Sequence, residues 1–163
     1  MKEQLLFVDD DEAGRELSRY NLEQAGYHVD VASDGEAALT TFDAERHALV
    51  ISDLRMPRLS GLELLGRIKG LAPDVPVVVI TAHGSVEAAV GAMRAGAYDF
   101  LEKPFGRDEL LLTVDRALER HRLAVENRAL RRRAAGVERE IVGNSSALTE
   151  LLRTVDRLAA SDA

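Results

Sequence analysis

Two short apolar runs in this chain end on carboxylates. Gln4-Leu5-Leu6-Phe7 leads into Val8-Asp9-Asp10-Asp11, and Ala48-Leu49-Val50-Ile51 leads into Ser52-Asp53-Leu54-Arg55-Met56-Pro57. Apolar runs of this length, bounded by turn residues, predict buried parallel strands. In an open α/β sheet, ligands gather beyond the carboxyl ends of the strands. If these two strands are neighbours, three or four carboxylates share one crevice, which is costly unless a divalent cation neutralises them. Asp9 and Asp10 are hard oxygen ligands of the kind an octahedral Mg2+ takes while keeping several waters. Asp53 can share that ion and act as a nucleophile, because a carboxylate accepts a phosphoryl group to give an acyl phosphate.

Two further residues complete a constellation. Thr81 closes Val77-Val78-Val79-Ile80, and Lys103 precedes Pro104. Phosphoryl transfer needs charge neutralised around the equatorial oxygens more than it needs acid–base help. Mg2+ provides that on one side and the Lys103 ammonium on the other. The Thr81 hydroxyl and the Ala82 amide are placed to bond further oxygens, and the Arg55 backbone carbonyl is the remaining candidate for the metal shell. Singly, each residue has a plainer reading: Asp11 or Glu12 as a helix N-cap, Asp53 as a turn former, Thr81 as an ordinary strand residue, Lys103 as a surface lysine. Together they stand at the carboxyl ends of the first, third, fourth and fifth strands, the positions that face one crevice.

The elements that must hold these residues alternate regularly. Strands are predicted at Leu5–Val8, His28–Ala32, Leu49–Ser52, Val77–Thr81 and Asp99–Glu102. Between them lie helix-length segments with apolar stripes: Ala37, Ala38, Thr41 and Phe42; Leu62, Leu65 and Ile68; Val86, Ala89, Val90 and Met93. Gly26 and Gly96 are stop signals, and Asp34 and Ser85 are N-cap signals. Five such units mean a doubly wound α/β parallel sheet with right-handed crossovers and helices on both faces. A helical pattern then runs from Arg107 to about Ala135. Within it Leu123, Asn127, Leu130 and Ala134 follow a coiled-coil spacing over two heptads, with Asn127 at an a-like position, which predicts a dimer seam; the alternative is a solvated helix with a modest apolar stripe.

With 163 residues, 46% of them hydrophobic, the chain has room for one domain and an extension. It has no cysteine, so neither disulfides nor thiolate metal sites hold it. Lys2-Glu3-Gln4 leads straight into the first strand without a signal-peptide pattern, and no apolar run reaches membrane-spanning length. A soluble, cytoplasmic protein without membrane contact is expected. The net charge of −7 conceals an asymmetry: residues 1–115 carry 11 Lys/Arg against 21 Asp/Glu, and residues 116–139 carry 8 Arg against 3 Glu. That break marks a boundary between an acidic body and a basic stalk. Arg131-Arg132-Arg133 lies within the helical register with no aromatic interleaved, so it reads as a solvated face and not as a nucleic-acid patch.

The motifs Phe7-Val8-Asp9-Asp10-Asp11, Ile51-Ser52-Asp53-Leu54-Arg55-Met56-Pro57, Val79-Ile80-Thr81-Ala82 and Leu101-Glu102-Lys103-Pro104-Phe105 occur in the order and spacing of a known family. Across residues 4 to about 120 the chain resembles the receiver domain of two-component response regulators. The resemblance implies the (βα)5 flavodoxin-like, CheY-like fold with strand order 2-1-3-4-5. It implies that Asp53 takes a phosphoryl group from a sensor histidine kinase, with Mg2+ as cofactor, and that Lys103–Pro104 is a cis peptide. It also implies a switch in which Thr81 moves toward the phosphoryl group and an aromatic ring, here Phe100, fills the space it leaves. A plain core phenylalanine is compatible with that role. Arg55 and His83, two residues after Asp53 and Thr81, occupy positions that tend to govern phosphoryl lifetime; both are bulky and restrict water.

A second resemblance lies in the tail. Glu140-Ile141-Val142-Gly143-Asn144-Ser145-Ser146-Ala147-Leu148 and the segment Leu151–Ala163 are similar to the opening of the AAA+ domain of NtrC-type, sigma-54-dependent activators, and Thr81-Ala82-His83 fits that subfamily. The expected organisation is a receiver over 1–120, a helical linker over 121–137, and a truncated AAA+ start over 138–163. No Gly-x-x-x-x-Gly-Lys-Ser/Thr sequence is present, so these residues carry no ATPase site of that kind and the chain is not read as an enzyme. Implied partners are the kinase, a second copy of the chain, the attached ATPase and sigma-54 RNA polymerase. A haloacid-dehalogenase-type phosphatase would want an acid where Arg55 stands. Nucleotide or flavin binding would want a Gly- or Ser/Thr-rich loop where Asp9-Asp10-Asp11-Glu12 stands. A phosphorylation-independent pseudo-receiver that only binds partners is the alternative reading.

Overall fold

The computed structural model describes residues 3–141, with side chains from 3 to 135. Elements alternate as β1 (Gln4–Val8), α1 (Glu12–Gln24), β2 (His28–Ala32), α2 (Gly35–Thr41), β3 (His47–Asp53), α3 (Gly61–Leu71), β4 (Val77–Thr81), α4 (Val86–Arg94), β5 (Asp99–Glu102) and α5 (Arg107–Ile141). All five strands pair in parallel in the order β2-β1-β3-β4-β5. This is the doubly wound α/β architecture expected, with the order reversing at β1/β3. The chain divides into two compact units, 1–123 and 124–163, and the sheet lies wholly in the first.

The strands form where they do because they are buried on both faces. Every residue of β3 and β4 is buried, as near-continuous apolar runs of a parallel sheet require. Side chains alternate across the sheet. Leu5, Phe7, Ile51 and Ile80 join one core with Leu22 of α1 and with Leu110, Val114 and Leu118 of α5. Leu6, Val8, Val50 and Val79 join the other core with Leu64, Leu65 and Ile68 of α3 and Ala92 of α4. β3 begins two residues before the expected Leu49. Buried His47 extends it, with Nε2 2.7 Å from Asp30 of β2 and Nδ1 accepting from the Asp43 amide at 3.0 Å.

Local signals act as their chemistry dictates. Asp34 caps α2, its carboxylate accepting from the Ala37 amide, and Gly26 and Gly96 follow α1 and α4 at φ 99° and 107°, a conformation that favours glycine. Asp11 and Ser85 occupy the N-cap positions of α1 and α4, yet neither side chain makes the cap bond. The apolar stripe of α4 is only partly covered: Ala89 is buried, but Val86, Val90 and Met93 are 68%, 44% and 41% exposed, and Ala92 takes the core position. One expectation is corrected. Helix α5 does not stop at Ala135 but continues through Gly136 to Ile141. Leu123, Asn127, Leu130 and Ala134 are exposed; the AAA+-like residues 142–163 lie outside the described residues. Among those described, no helix is long and apolar enough to cross a membrane.

Candidate functional site

Asp9 follows the last residue of β1 and Asp53 is the last residue of β3, so the β1–β3 pairing sets them side by side. Asp9 is 1% and Asp53 8% exposed, whereas Asp10 is exposed. One carboxylate oxygen from each of the three falls within 4.8 Å of the others. Asp9 Oδ1 accepts the Asp11 amide at 2.9 Å, and Asp53 Oδ1 accepts the Arg55 amide at 3.0 Å. Lys103, just past β5, brings Nζ to 2.9 Å from Asp53 Oδ2 and 3.2 Å from Asp9 Oδ2. Its backbone amide bonds the Thr81 carbonyl at 2.8 Å, and Lys103–Pro104 is cis.

Charge in this crevice is unbalanced. Burial pushes the Asp9 carboxyl above its ordinary value, against the Asp11 amide and Lys103, which favour its charged form. Burial alone would depress the Lys103 ammonium, but its bonds to Asp53 and Asp9 outweigh that and raise it. One ammonium thus serves three carboxylates. The donor set is all hard oxygen, and a divalent cation is the partner that balances it. The residues present therefore fit Mg2+.

The opening beside these groups is a cavity of about 270 Å3, lined among others by Asp10, Asp53, Arg55, Thr81, Ala82 and Lys103. Thr81 is 3% exposed, and its hydroxyl donates weakly, at 3.4 Å, to the Leu101 carbonyl on β5. Behind Asp53 the chain closes on itself. Leu54 donates to Ile80 and accepts from the Gly61 amide, both at 3.0 Å. A Cβ on Gly61 would lie 2.1 Å from the Asp53 carbonyl oxygen. Ser60 then starts α3 by accepting the Glu63 amide at 3.2 Å. Asp9, Asp10, Asp53, Arg55, Thr81, Ala82 and Lys103, singled out from the sequence for chemistry, therefore converge on one crevice; Phe100 and His83 do not.

Phe100 stands furthest from the expected reading. It is 40% exposed, so it is not a plain core phenylalanine, and it lines a separate apolar groove of about 390 Å3 with Val86, Val90 and Met93. Ser85 lines both cavities and joins them. Of the two bulky flanking residues, Arg55 lines the crevice, while His83 points its Nδ1 to Glu102 Oε1 at 2.8 Å with a side chain 82% exposed. Sequence reasoning did not single out Ser85 as a bridge, Glu102 as a partner of His83, or Arg15. Arg15 donates from Nη1 to the Asp9 carbonyl at 2.8 Å. Nothing in the local sequence distinguishes it from the other arginines of an exposed helix face.

The family model described as the response regulator receiver domain matches residues 5–115. The chain is 43% identical over 163 residues to the C4-dicarboxylate transport transcriptional regulatory protein DctD of Pseudomonas aeruginosa, covering 98% of this chain and 35% of that protein. It is 43% identical over 160 residues to the nitrogen assimilation regulatory protein NtrX of Azorhizobium caulinodans, covering 97% and 35%. The chain thus spans about a third of the length of these curated relatives. Among solved structures, NtrX from Brucella abortus superposes with a TM-score of 0.76 at 42% identity, over 82% of this chain and 30% of that one. The receiver domain of the same protein gives 0.68 at 44% identity, over 71% and 98%.

Proposed function

The chain belongs to the response regulator receiver domain family, of the NtrC type, and from that membership we propose that it is a phosphorylation-activated switch of a two-component system. Asp53 accepts the phosphoryl group from a phosphohistidine of a sensor histidine kinase. A carboxylate oxygen of Asp53 attacks phosphorus, the P–N bond breaks, and its electron pair returns to the kinase imidazole. Asp9, Asp10, Asp53 and the Arg55 carbonyl would hold Mg2+, which would supply the positive charge that neutralises the phosphoryl oxygens. Lys103, already 2.9 Å from Asp53, follows the charge onto the new group. The Ala82 amide and the Thr81 hydroxyl supply hydrogen bonds, the latter leaving its long bond to Leu101. Phe100 moves into the space vacated.

The observation that carries this reading is the pairing of one half-buried ammonium, Lys103, with Asp53 inside a three-carboxylate cluster. The readout is pairing between copies. Phosphorylation rearranges α4, β5 and the linker over 121–137, alters dimerisation along Leu123, Asn127, Leu130 and Ala134, and thereby governs an attached AAA+ ATPase that acts on sigma-54 RNA polymerase. The residues 138–163 are its opening, and the protein works in the cytoplasm without binding nucleic acid through this chain. In this reading the chain is not an enzyme beyond assisting its own phosphorylation and dephosphorylation.

Intact mass after incubation with acetyl phosphate and Mg2+, for wild type and Asp53→Asn in parallel, tests the reading. One added phosphoryl group in wild type alone, abolished by chelator, is the expected result. No gain in wild type, with beryllofluoride binding also absent, would overturn it in favour of a phosphorylation-independent interaction module.

A further inference from the structure

Asp10 is the least supported member of the acidic cluster. It is exposed, and its carboxylate stands within 4.8 Å of those of Asp9 and Asp53, which repel it. What points Asp10 at the cluster is therefore the backbone on either side of it. The preceding strand is pinned by the Asp9 amide, which donates to the Ala32 carbonyl at 3.2 Å. The peptide plane between Asp10 and Asp11 is pinned by the Asp11 amide on Asp9 Oδ1 at 2.9 Å. The plane between Asp9 and Asp10 is held by a side chain: its carbonyl, Asp9 O, accepts Arg15 Nη1 at 2.8 Å. Arg15 is half-buried and lies in the first turn of α1, and a guanidinium is a rigid, permanently charged donor.

We propose that Arg15 is a positioning residue of the divalent-cation site: by clamping the Asp9 carbonyl it fixes the Asp9–Asp10 peptide plane and so aims the Asp10 carboxylate at the ion. The inference rests on the reading of Asp9, Asp10 and Asp53 as the Mg2+ site. Coulomb's law alone gives Arg15 the opposite effect. A positive charge beside three carboxylates competes with a cation, so removing it would tighten Mg2+ binding. Loss of positioning weakens it, and groups that orient metal ligands from outside typically carry 10–100-fold in affinity. The sign of the change therefore separates the two roles.

The experiment is Mg2+ titration of the full chain by calorimetry for wild type, Arg15→Gln and Arg15→Lys, with amide NMR spectra of each. Expected is a dissociation constant about tenfold or more weaker for Arg15→Gln, a smaller loss for Arg15→Lys, and shifts in the cation-free spectra confined to the β1–α1 turn. Unchanged or tighter binding in Arg15→Gln would overturn the proposal. So would a general loss of dispersion in both variants, which would make Arg15 a residue of overall stability. Absence of Mg2+ binding in wild type would instead overturn the reading of the site on which the proposal rests.

Discussion

Asp10→Asn should stabilise the cation-free protein and remove its response to Mg2+. In the folded chain Asp10 lies within 4.8 Å of two other carboxylates, while the nearby ammonium of Lys103 is bonded to Asp9 and Asp53. Two unit charges at that separation repel by about 0.9 kcal/mol in water and about 3.5 kcal/mol at an effective dielectric constant near 20. Two such pairs put the gross repulsion relieved on neutralising Asp10 between roughly 2 and 7 kcal/mol, and the attraction of the nearby Lys103 ammonium, lost with it, offsets part of that. Two effects bring it toward the low end. Asp10 is exposed, so solvent screens it, and it precedes the N-terminus of α1, whose dipole favours a negative charge by about 0.3–1 kcal/mol. A net gain of about 1–2 kcal/mol follows, which in a domain of this class is roughly 4–8 °C in Tm.

Thermal unfolding followed by circular dichroism, in chelator and then in rising MgCl2, reads both halves of the prediction. Wild type gains stability as RT ln(1 + [L]/Kd), about 2.7 kcal/mol at a hundredfold excess over Kd. Asp10→Asn starts higher and stays flat, so the two curves cross. A variant that melts below wild type in chelator would refute the reasoning, because it would mean that Asp10 makes a favourable contact larger than the repulsion it suffers.

Gly61→Ala places a methyl where 2.1 Å separates a Cβ from the Asp53 carbonyl oxygen, so it should cost about 1–3 kcal/mol in chemical denaturation and slow phosphorylation by acetyl phosphate through displacement of Asp53. Tyr27 donates its hydroxyl to Asp115 of α5 and, through burial first and that bond second, its pKa is pushed up from 10.0 to about 12. The neutral phenol is the form favoured by folding, so its contribution is intact below pH 10 and fades between pH 10 and 12. The stability difference between wild type and Tyr27→Phe should accordingly move against wild type by roughly 2–3 kcal/mol as the pH rises through that interval. A chain stopped after Leu123 keeps the buried Val114, Ala117 and Leu118 but loses Asn127, Leu130 and Ala134; light scattering should find it monomeric where the full chain pairs, and equal pairing would dismiss the seam. Phe100→Ala should cost well under the ~3–5 kcal/mol of a core phenylalanine, since the ring is 40% exposed, while reducing the spectral change on beryllofluoride binding.

The strands were legible because burial on both faces leaves little but valine, leucine and isoleucine in Leu49–Ile51 and Val77–Ile80, and the carboxylates stood out by interrupting those runs. What lay hidden had polar chemistry inside an element or tertiary context outside it. His47 reads as a loop residue, yet its ring is satisfied by Asp30 and the Asp43 amide, and β3 continues through it. Gly136 reads as a helix end, but a lone glycine costs only about 1 kcal/mol relative to alanine, and α5 runs on. Asp11 and Ser85 were legible as cap positions, whereas the absence of their side-chain bonds was not. Asp9, Asp10, Asp53, Thr81 and Lys103 converge as expected; Arg15 was invisible, because its bond to the Asp9 carbonyl depends on how the β1–α1 turn folds.

The exposed α4 stripe bears on which element the proposed switch can move. Periodicity states that Val86, Val90 and Met93 share a face, not that the face has a partner. What anchors α4 in the core is Ala89 and Ala92, against Leu64, Leu65 and Ile68 for α3. At about 0.8 kcal/mol per buried methyl-sized group and about 1.5–3 kcal/mol per large aliphatic side chain, α4 is held by roughly a fifth to a third of the apolar burial that holds α3. Its N-cap serine contributes no side-chain bond, and that same Ser85 borders the Asp53 crevice. A hydrogen bond gained or lost at Thr81 is worth about 0.5–1.5 kcal/mol. That is small against the anchorage of α3 but comparable to the anchorage of α4. The exposed apolar face and the two small buried alanines are thus one design: the helix next to the proposed phosphoryl acceptor is the one whose position a single hydroxyl can decide.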